Sequence, residues 1–391
     1  MGLNMSSDKI RKNFNKPLSA KRIVVKIGSA LLTHKTEAIN KAIVERLVTE
    51  IAMLSRNGIE VILVSSGAIA SGRIALNIAD KIHDISTKQV LAAVGQGLLL
   101  QMYEQTFNKH GIRIAQALLT RHDMQERLGY LNVRNTLLKL IELNVIPVVN
   151  ENDVVNIEQL SETIIGDNDT LSALVANLVD ADILIILGKL DGLYSSDPHI
   201  DKNASFISNV DNIDKAVLAM GGDSYSEDGI AVGYGGMAAK LQAAKMVTSA
   251  GATTIMASGL QEDVLTKLMA GEDIGTWFYP TGDRIESRKR WMLSGIAQKG
   301  NVIIDSGAAG ALRLKTNSLL PAGILTVNGS FYRGDVVTIS DESEVAIAAG
   351  ISNYSSEEIN QVKGNHSEKI RTTLGYDYGD EIVHRSNMVK L

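Results

Sequence analysis

Short apolar runs rich in β-branched residues, each followed by a stretch with helical spacing, constrain this chain more than any other feature. They are Ile23–Ile27, Glu60–Ser65, Ile112–Ala117, Val145–Asn150, Ile183–Leu187 and Thr253–Ala257. A near-continuous apolar run of this length reads as a strand buried on both faces, which is the habit of parallel sheets covered by helices. Between the runs, residues 41–57, 86–110, 121–143, 169–180 and 236–250 carry apolar side chains at helical intervals. The alternation predicts an α/β fold, a three-layer sandwich with a mostly parallel central sheet, over residues 21–280.

The pattern changes after about residue 280. Residues 281–291 are charged and read as a linker. Shorter strand-like runs follow at Asn301–Ile304, Ile324–Asn328, Asp335–Ile339 and Val345–Ala349, separated by turn residues such as Asn328-Gly329 and Arg333-Gly334-Asp335. Residues 292–391 therefore read as a second domain, a small β-barrel of roughly 80 residues with a partly helical C-terminal tail. At the other end, residues 1–20 are polar, carry Lys9, Arg11, Lys12 and Lys16, and contain no apolar core. They read as a disordered leader rather than a secretory signal.

Composition removes several functional classes. The 391 residues hold no cysteine, which excludes disulfides, cysteine nucleophiles and thiolate metal sites. Their 39 basic and 44 acidic residues leave a formal charge of −5, with no whole-chain attraction to nucleic acid or anionic lipid. No apolar run approaches the roughly 20 residues that span a bilayer. A cytoplasmic protein without a membrane partner is expected. The 7 histidines show no metal-ligand spacing, so no protein metal site is expected.

The chemistry-bearing residues cluster where the predicted strands end. In open α/β sheets, ligands bind at the carboxyl ends of the strands. Lys26-Ile27-Gly28-Ser29 closes the first strand. It reads as a lysine beside a phosphate-admitting turn, or as an exposed lysine ending a strand. Ser65-Ser66-Gly67-Ala68 closes the second; Ser66 is an anion-binding residue or an N-cap. Asn150-Glu151-Asn152-Asp153 follows the fourth and could grip an ammonium and a carboxylate together, or form a polar loop of Asx turns. Asp167-Asn168-Asp169 precedes an apolar helix; one residue caps it, and the sharper reading sets Asp169 between two lysines. The second lysine is Lys240. Three glycines of Gly233-Tyr234-Gly235-Gly236-Met237-Ala238-Ala239-Lys240 precede its helix, making a phosphate site or a flexible loop with a surface lysine. No G-x-x-x-x-G-K-[ST] sequence is present, which argues against a P-loop NTPase. Lysines with glycine turns suit a polyphosphate, and acids with amides suit a small amino acid.

In this order, the motifs resemble the glutamate 5-kinase family, an amino-acid-kinase domain followed by a PUA domain. The similarity runs from about residue 21 to the C-terminus. It rests on Val24–Ser29, Ser65–Ala70, Leu91-Ala92-Ala93-Val94-Gly95-Gln96, Asn150–Asp153, Gly166–Asp169 and Gly235-Gly236-Met237. The resemblance implies ATP-dependent phosphorylation of the side-chain carboxylate of L-glutamate, the first step of proline biosynthesis. It implies that Lys26 and Lys240 stabilise the transferring phosphoryl group and that Asp169 organises them. It implies that Ser66, Asp153 and Asn168 bind glutamate, with Asn150 and Asp167 nearby. Gly28, Ser29, Gly188, Lys189, Tyr234, Gly235, Gly236 and Met237 are expected on the nucleotide side with the two lysines. Mg²⁺ is expected to arrive with ATP, because it keeps several waters and binds through phosphates. Proline as a feedback inhibitor and a homo-oligomeric assembly are also expected.

The sequence departs from the family pattern on the nucleotide side. Thr-Asp usually follows the fifth strand; here Gly188-Lys189 stands there, and Tyr234 replaces the threonine of a Gly-Thr-Gly-Gly-Met loop. The expectation is altered nucleotide affinity or base preference with glutamate recognition kept. Residues 292–391 carry 9 basic and 11 acidic side chains, so the PUA-like domain lacks the basic footprint of a nucleic-acid binder. Competing readings are a kinase for aspartate or N-acetylglutamate, which the second domain and the Asn150–Asp153 loop oppose, and a regulatory protein with a degenerate kinase domain, which Lys26, Asp169 and Lys240 together oppose.

Overall fold

The computed structural model describes residues 17–33, 39–78, 84–155, 168–221, 236–281, 299–314 and 317–391. Residues 1–16 of the leader expected over 1–20, and most of the expected linker, lie outside these residues. The last part of that leader is not a free tail, since Leu18 and Ala20 pack against the core and Leu18 N–H donates to Met269 O at 2.9 Å. The chain divides into two compact units, one drawn from residues up to 124 and 134–282, the other from 125–133 and 283–391.

In the first unit, β1 (Arg22–Ile27), β2 (Glu60–Ser65), β3 (Arg113–Leu119), β4 (Val145–Glu151), β5 (Ile183–Gly188), β6 (Asn209–Val210), β7 (Thr253–Ser258) and β8 (Thr276–Phe278) form one sheet. Its order is β3-β4-β2-β1-β5-β7-β8-β6. The strands from β3 through β7 in that order run parallel; β8 turns antiparallel to β7, and β6 pairs parallel to β8. The mostly parallel sheet is the expected one, and its two short strands β6 and β8 were not foreseen.

Alternation along β1 sorts its side chains between two layers. Ile23, Val25 and Ile27 join one core with α2 (Lys41–Arg56) and the far half of α4 (Ile85–Asn108), through residues such as Leu47, Ile51, Leu99 and Phe107. Lys26, one step out of phase with them, takes the opposite face. There α5 (Asn168–Leu178) lies against β1, and α6 (Met237–Ser249) packs on α5.

Two glycines set how closely α4 meets α3 (Ala68–Ala75). A Cβ on Gly95 would stand 1.8 Å from the carbonyl oxygen of Ala68, and one on Gly72 would stand 1.9 Å from that of Leu91. Both distances are impossible for a real side chain, so the two helix backbones are in direct contact. Gly67, just before α3, adopts φ 112°, a left-handed conformation that glycine alone takes cheaply.

Another device ties α2 to α7 (Val264–Ala270). Asp263 at the N-cap of α7 makes no side-chain cap bond. Instead the buried carboxylate of Glu50 in α2 accepts the Leu265 backbone N–H at 2.7 Å and pairs with Arg46 at 3.1 Å. A carboxylate at a helix start is well placed against the helix dipole. Burial nevertheless raises the Glu50 pKa above its ordinary value of 4.5.

The second unit carries a mostly antiparallel sheet of β9 (Gly300–Ile304), β10 (Ile324–Gly329), β11 (Val336–Ser340), β12 (Ala346–Ile351) and β13 (Met388–Lys390). The order is β10-β9-β11-β12-β13, and only the β9–β11 pair is parallel. Val302, Ile304, Val337 and Ile339 pack with Phe331, Tyr354, Ile359 and Val362 in one core. The helix α8 (Ser306–Leu314) was not anticipated. The partly helical tail resolves into α9 (Ser356–Val362), which starts at a Ser355–Glu358 capping box, and α10 (Lys369–Leu374), before the chain returns to the sheet as β13.

Candidate active site

Strand register builds the site. Ile27 pairs with Ser65 on one side and Leu187 on the other, and Val64 pairs with Val149. The next residues, Gly28, Ser66, Gly188 and Asn150, therefore emerge along one edge, the carboxyl edge of the parallel strands. The ladder continues one step beyond β1: Ser66 N–H donates to Ile27 O at 3.1 Å and Gly28 N–H to Leu187 O at 3.3 Å. A cleft of about 670 Å³ opens on this edge.

Three charges sit at its base. Asp169, in the first turn of α5, is fully buried and pairs with Lys26 Nζ through Oδ1. Its Oδ2 lies 3.2 Å from Lys240 Nζ on α6. A buried carboxylate is costly unless charge and hydrogen bonds compensate it. Here two ammonium groups meet one carboxylate, leaving this triad with one net positive charge. Lys26 and Lys240 both line the cleft, with Lys26 nearly buried and Lys240 partly exposed.

Backbone geometry adds to this positive field. Gly236 at the N-cap of α6 brings no side chain to its first N–H groups, and unfilled helix starts favour anions. A Cβ on Gly28 would lie 3.6 Å from Lys26 Nζ, so the glycine keeps the space beside that ammonium clear. Lysines, a helix start and a bare glycine fit a polyphosphate.

A polar relay also lines the cleft through Ser66, Asn150 and Asn168. Asn168 Nδ2 donates to Ser66 Oγ at 2.8 Å and to Asn150 Oδ1 at 3.0 Å. Asn150 Nδ2 in turn donates to Gln96 Oε1 on α4 at 2.7 Å. Asp153 and Glu151 line the same cleft.

The structure brings most of the expected residues to this one cleft. Lys26, Gly28, Ser29, Ser66, Asn150, Asp153, Asn168, Gly188, Lys189, Gly236, Met237 and Lys240 all line it. Asp169 lies beneath its surface, joined to the two lysines. Asp167, Tyr234 and Gly235 lie outside the described residues. Arg73 and Lys88 also line the cleft, and Gln96 joins the relay, none of them given a role from sequence; Glu151, which stood within the Asn150–Asp153 motif, lines it too. Gln96 stood within the Leu91–Gln96 motif, the one signal that could have marked it. Among the described residues, no group of three or more metal-ligating side chains converges. No helix among them is long and apolar enough to cross a membrane.

Residues 21–257 match the Amino acid kinase family, and residues 300–374 match the PUA domain. The chain is 45% identical over 369 residues to a glutamate 5-kinase of Dehalococcoides mccartyi, covering 94% of this chain and 98% of that protein. It is 46% identical over 370 residues to a glutamate 5-kinase of Caldanaerobacter subterraneus, covering 95% and 98%. A glutamate 5-kinase of Herpetosiphon aurantiacus is 43% identical over 368 residues, covering 94% and 98%.

Proposed function

The chain belongs to the glutamate 5-kinase family, and we propose that Lys26, Asp169 and Lys240 are the residues that carry its phosphoryl transfer. The reaction transfers a phosphoryl group from ATP to the side-chain carboxylate of L-glutamate, giving L-glutamyl 5-phosphate, the first step of proline biosynthesis. The observation that carries the assignment is the buried Asp169 carboxylate holding both lysines at the base of the cleft.

The acceptor carboxylate is already ionised near neutral pH, so no strong base is required. Phosphoryl transfer asks for positioning and charge stabilisation. Lys26 and Lys240 supply charge where the transferring oxygens gather it, and Asp169 fixes both ammonium groups before substrate arrives, so little reorganisation remains at the transition state. Gly28 and Ser29 after β1, and Gly236 and Met237 at the start of α6, admit the polyphosphate, and Gly188 and Lys189 border the nucleotide. Tyr234 and Gly235, outside the described residues, are assigned to the nucleotide side from their sequence motif alone. The two lysines and the start of α6 fit the phosphates that would bring Mg²⁺, an ion that screens negative charge when bound.

On the acceptor side, Ser66, Asn150, Asp153 and Asn168, with Asp167, bind glutamate. Amide oxygens and the Asp153 carboxylate suit its ammonium; the Ser66 hydroxyl and nearby N–H groups suit its α-carboxylate. Residues 21–280 form the catalytic domain and 292–391 the PUA domain with its tail. Proline acts as feedback inhibitor, and the enzyme works in the cytoplasm as a homo-oligomer. Gly188-Lys189 and Tyr234 alter nucleotide affinity or base preference; ordinary ATP affinity with no tolerance of GTP would remove that part. The functional assignment as a whole is tested by following ADP release from ATP with and without L-glutamate. It requires release that depends on glutamate, and glutamate-independent or absent turnover by folded protein contradicts it.

A further inference from the structure

We propose that Gln96 is a positioning residue that sets the polarity of the relay and so reserves the Asn168 side-chain oxygen for the substrate ammonium. The proposal rests on the assignment of this cleft to glutamate.

An asparagine side chain can bond in either sense, because its oxygen accepts and its nitrogen donates. Something outside the pair must choose. Gln96 Oε1 accepts from Asn150 Nδ2, which turns Asn150 Oδ1 toward Asn168. Asn168 must then present its nitrogen, and that nitrogen serves both Asn150 Oδ1 and Ser66 Oγ. Asn168 Oδ1 is left over. It is buried and accepts no hydrogen bond from the described residues. A buried acceptor without a partner is costly, and such groups in native proteins usually have a reason. Asn168 lines the acceptor cleft, so an ammonium is the ligand chemistry that completes it.

Gln96 can play this part because α4 is held close. Its neighbour Gly95 meets the Ala68 carbonyl without room for a Cβ. That contact fixes the height of Gln96 against the strand edge where Asn150 emerges.

The test compares L-glutamate with glutarate, the same diacid without the amine, which is read as a competitive inhibitor. Gln96→Met keeps length and stem but removes the acceptor; Gln96→Glu keeps an acceptor at the same place. In Gln96→Met the glutamate KM should rise about ten-fold, the loss of one charge-assisted bond, while the glutarate Ki moves less than two-fold. Gln96→Glu should retain most of the wild-type discrimination between the two. Equal loss of both ligands in Gln96→Met would reduce Gln96 to a packing role, and unchanged glutamate KM would remove it from the relay; either overturns the proposal. A wild-type enzyme with no glutamate-dependent turnover would instead strike the assignment beneath it.

Discussion

Asp169 and Lys240 meet at 3.2 Å although each opens a different helix, and Asp169 has no exposed surface. The same carboxylate holds Lys26. Replacing Asp169 with Asn keeps the shape and removes the charge that fixes both ammonium groups. The two lysines then repel, and Lys240, the more exposed, turns away. The kcat of Asp169→Asn should fall by about 10²-fold, with a smaller change in glutamate KM. Steady-state kinetics checks this, and a kcat near wild type would deny Asp169 its organising role.

Lys240→Ala removes one of the two cations directly. Its contact with the phosphoryl oxygens strengthens as charge shifts in the transition state, so the loss belongs in kcat rather than in glutamate binding. A drop of about 10²–10³ in kcat is expected. A mutant with near-normal kcat and a raised glutamate KM would place Lys240 on the acceptor side instead.

Asp153→Ala should act in the opposite way. Asp153 lines the same cleft as Glu151 and the relay residues Ser66, Asn150 and Asn168. The glutamate KM should rise ten-fold or more, about 1.4 kcal/mol or above, with kcat held within a few-fold. An unchanged KM would remove Asp153 from the substrate site.

Gly95→Ala tests the helix contact that supports the relay. The added methyl would need to enter within 1.8 Å of the Ala68 carbonyl oxygen and 2.4 Å of the Gly72 nitrogen. Helices α3 and α4 must separate, at a cost of about 1–3 kcal/mol for an overpacked core. Lower thermal stability together with a raised glutamate KM is expected, because Gln96 moves with α4. Unaltered melting would show that the contact yields freely.

Glu50 gives a pH signature. Burial raises its folded pKa above 4.5, so between 4.5 and the raised value the folded state holds more protons than the unfolded. Stability from this group therefore declines as pH rises through that window. Glu50→Gln can still accept the Leu265 N–H and has no proton to lose. Denaturation midpoints measured from pH 4.5 upward should show wild type losing ground to Glu50→Gln as pH rises. The opposite slope would mean that the Arg46 pair outweighs burial.

The parallel core strands were legible because continuous β-branched runs have one comfortable environment, a sheet covered on both faces. β6 and β8 were not, since strands of two and three residues are defined by their partners more than by their own sequence. β13 hid in a tail whose apolar residues show no clear period. The site followed from the same logic: residues after Ile27, Ser65 and Leu187 share an edge because the register aligns those three, and Val149, level with Val64, brings Asn150 to the same edge. Gln96 was harder to see. Its role depends on a helix lowered onto another by Gly72 and Gly95, and periodicity carries no information about such a distance. The Glu50 cap was missed for a similar reason, since its partner lies far along the chain.

The most direct measurement is hydroxamate formation from ATP, Mg²⁺ and hydroxylamine with L-glutamate, L-aspartate or N-acetylglutamate, in wild type and Asp169→Asn. Hydroxylamine traps an acyl phosphate as it forms. A signal from L-glutamate alone, lost in Asp169→Asn, is the predicted result. A comparable signal from another acid, or an undiminished glutamate signal in the mutant, would contradict it.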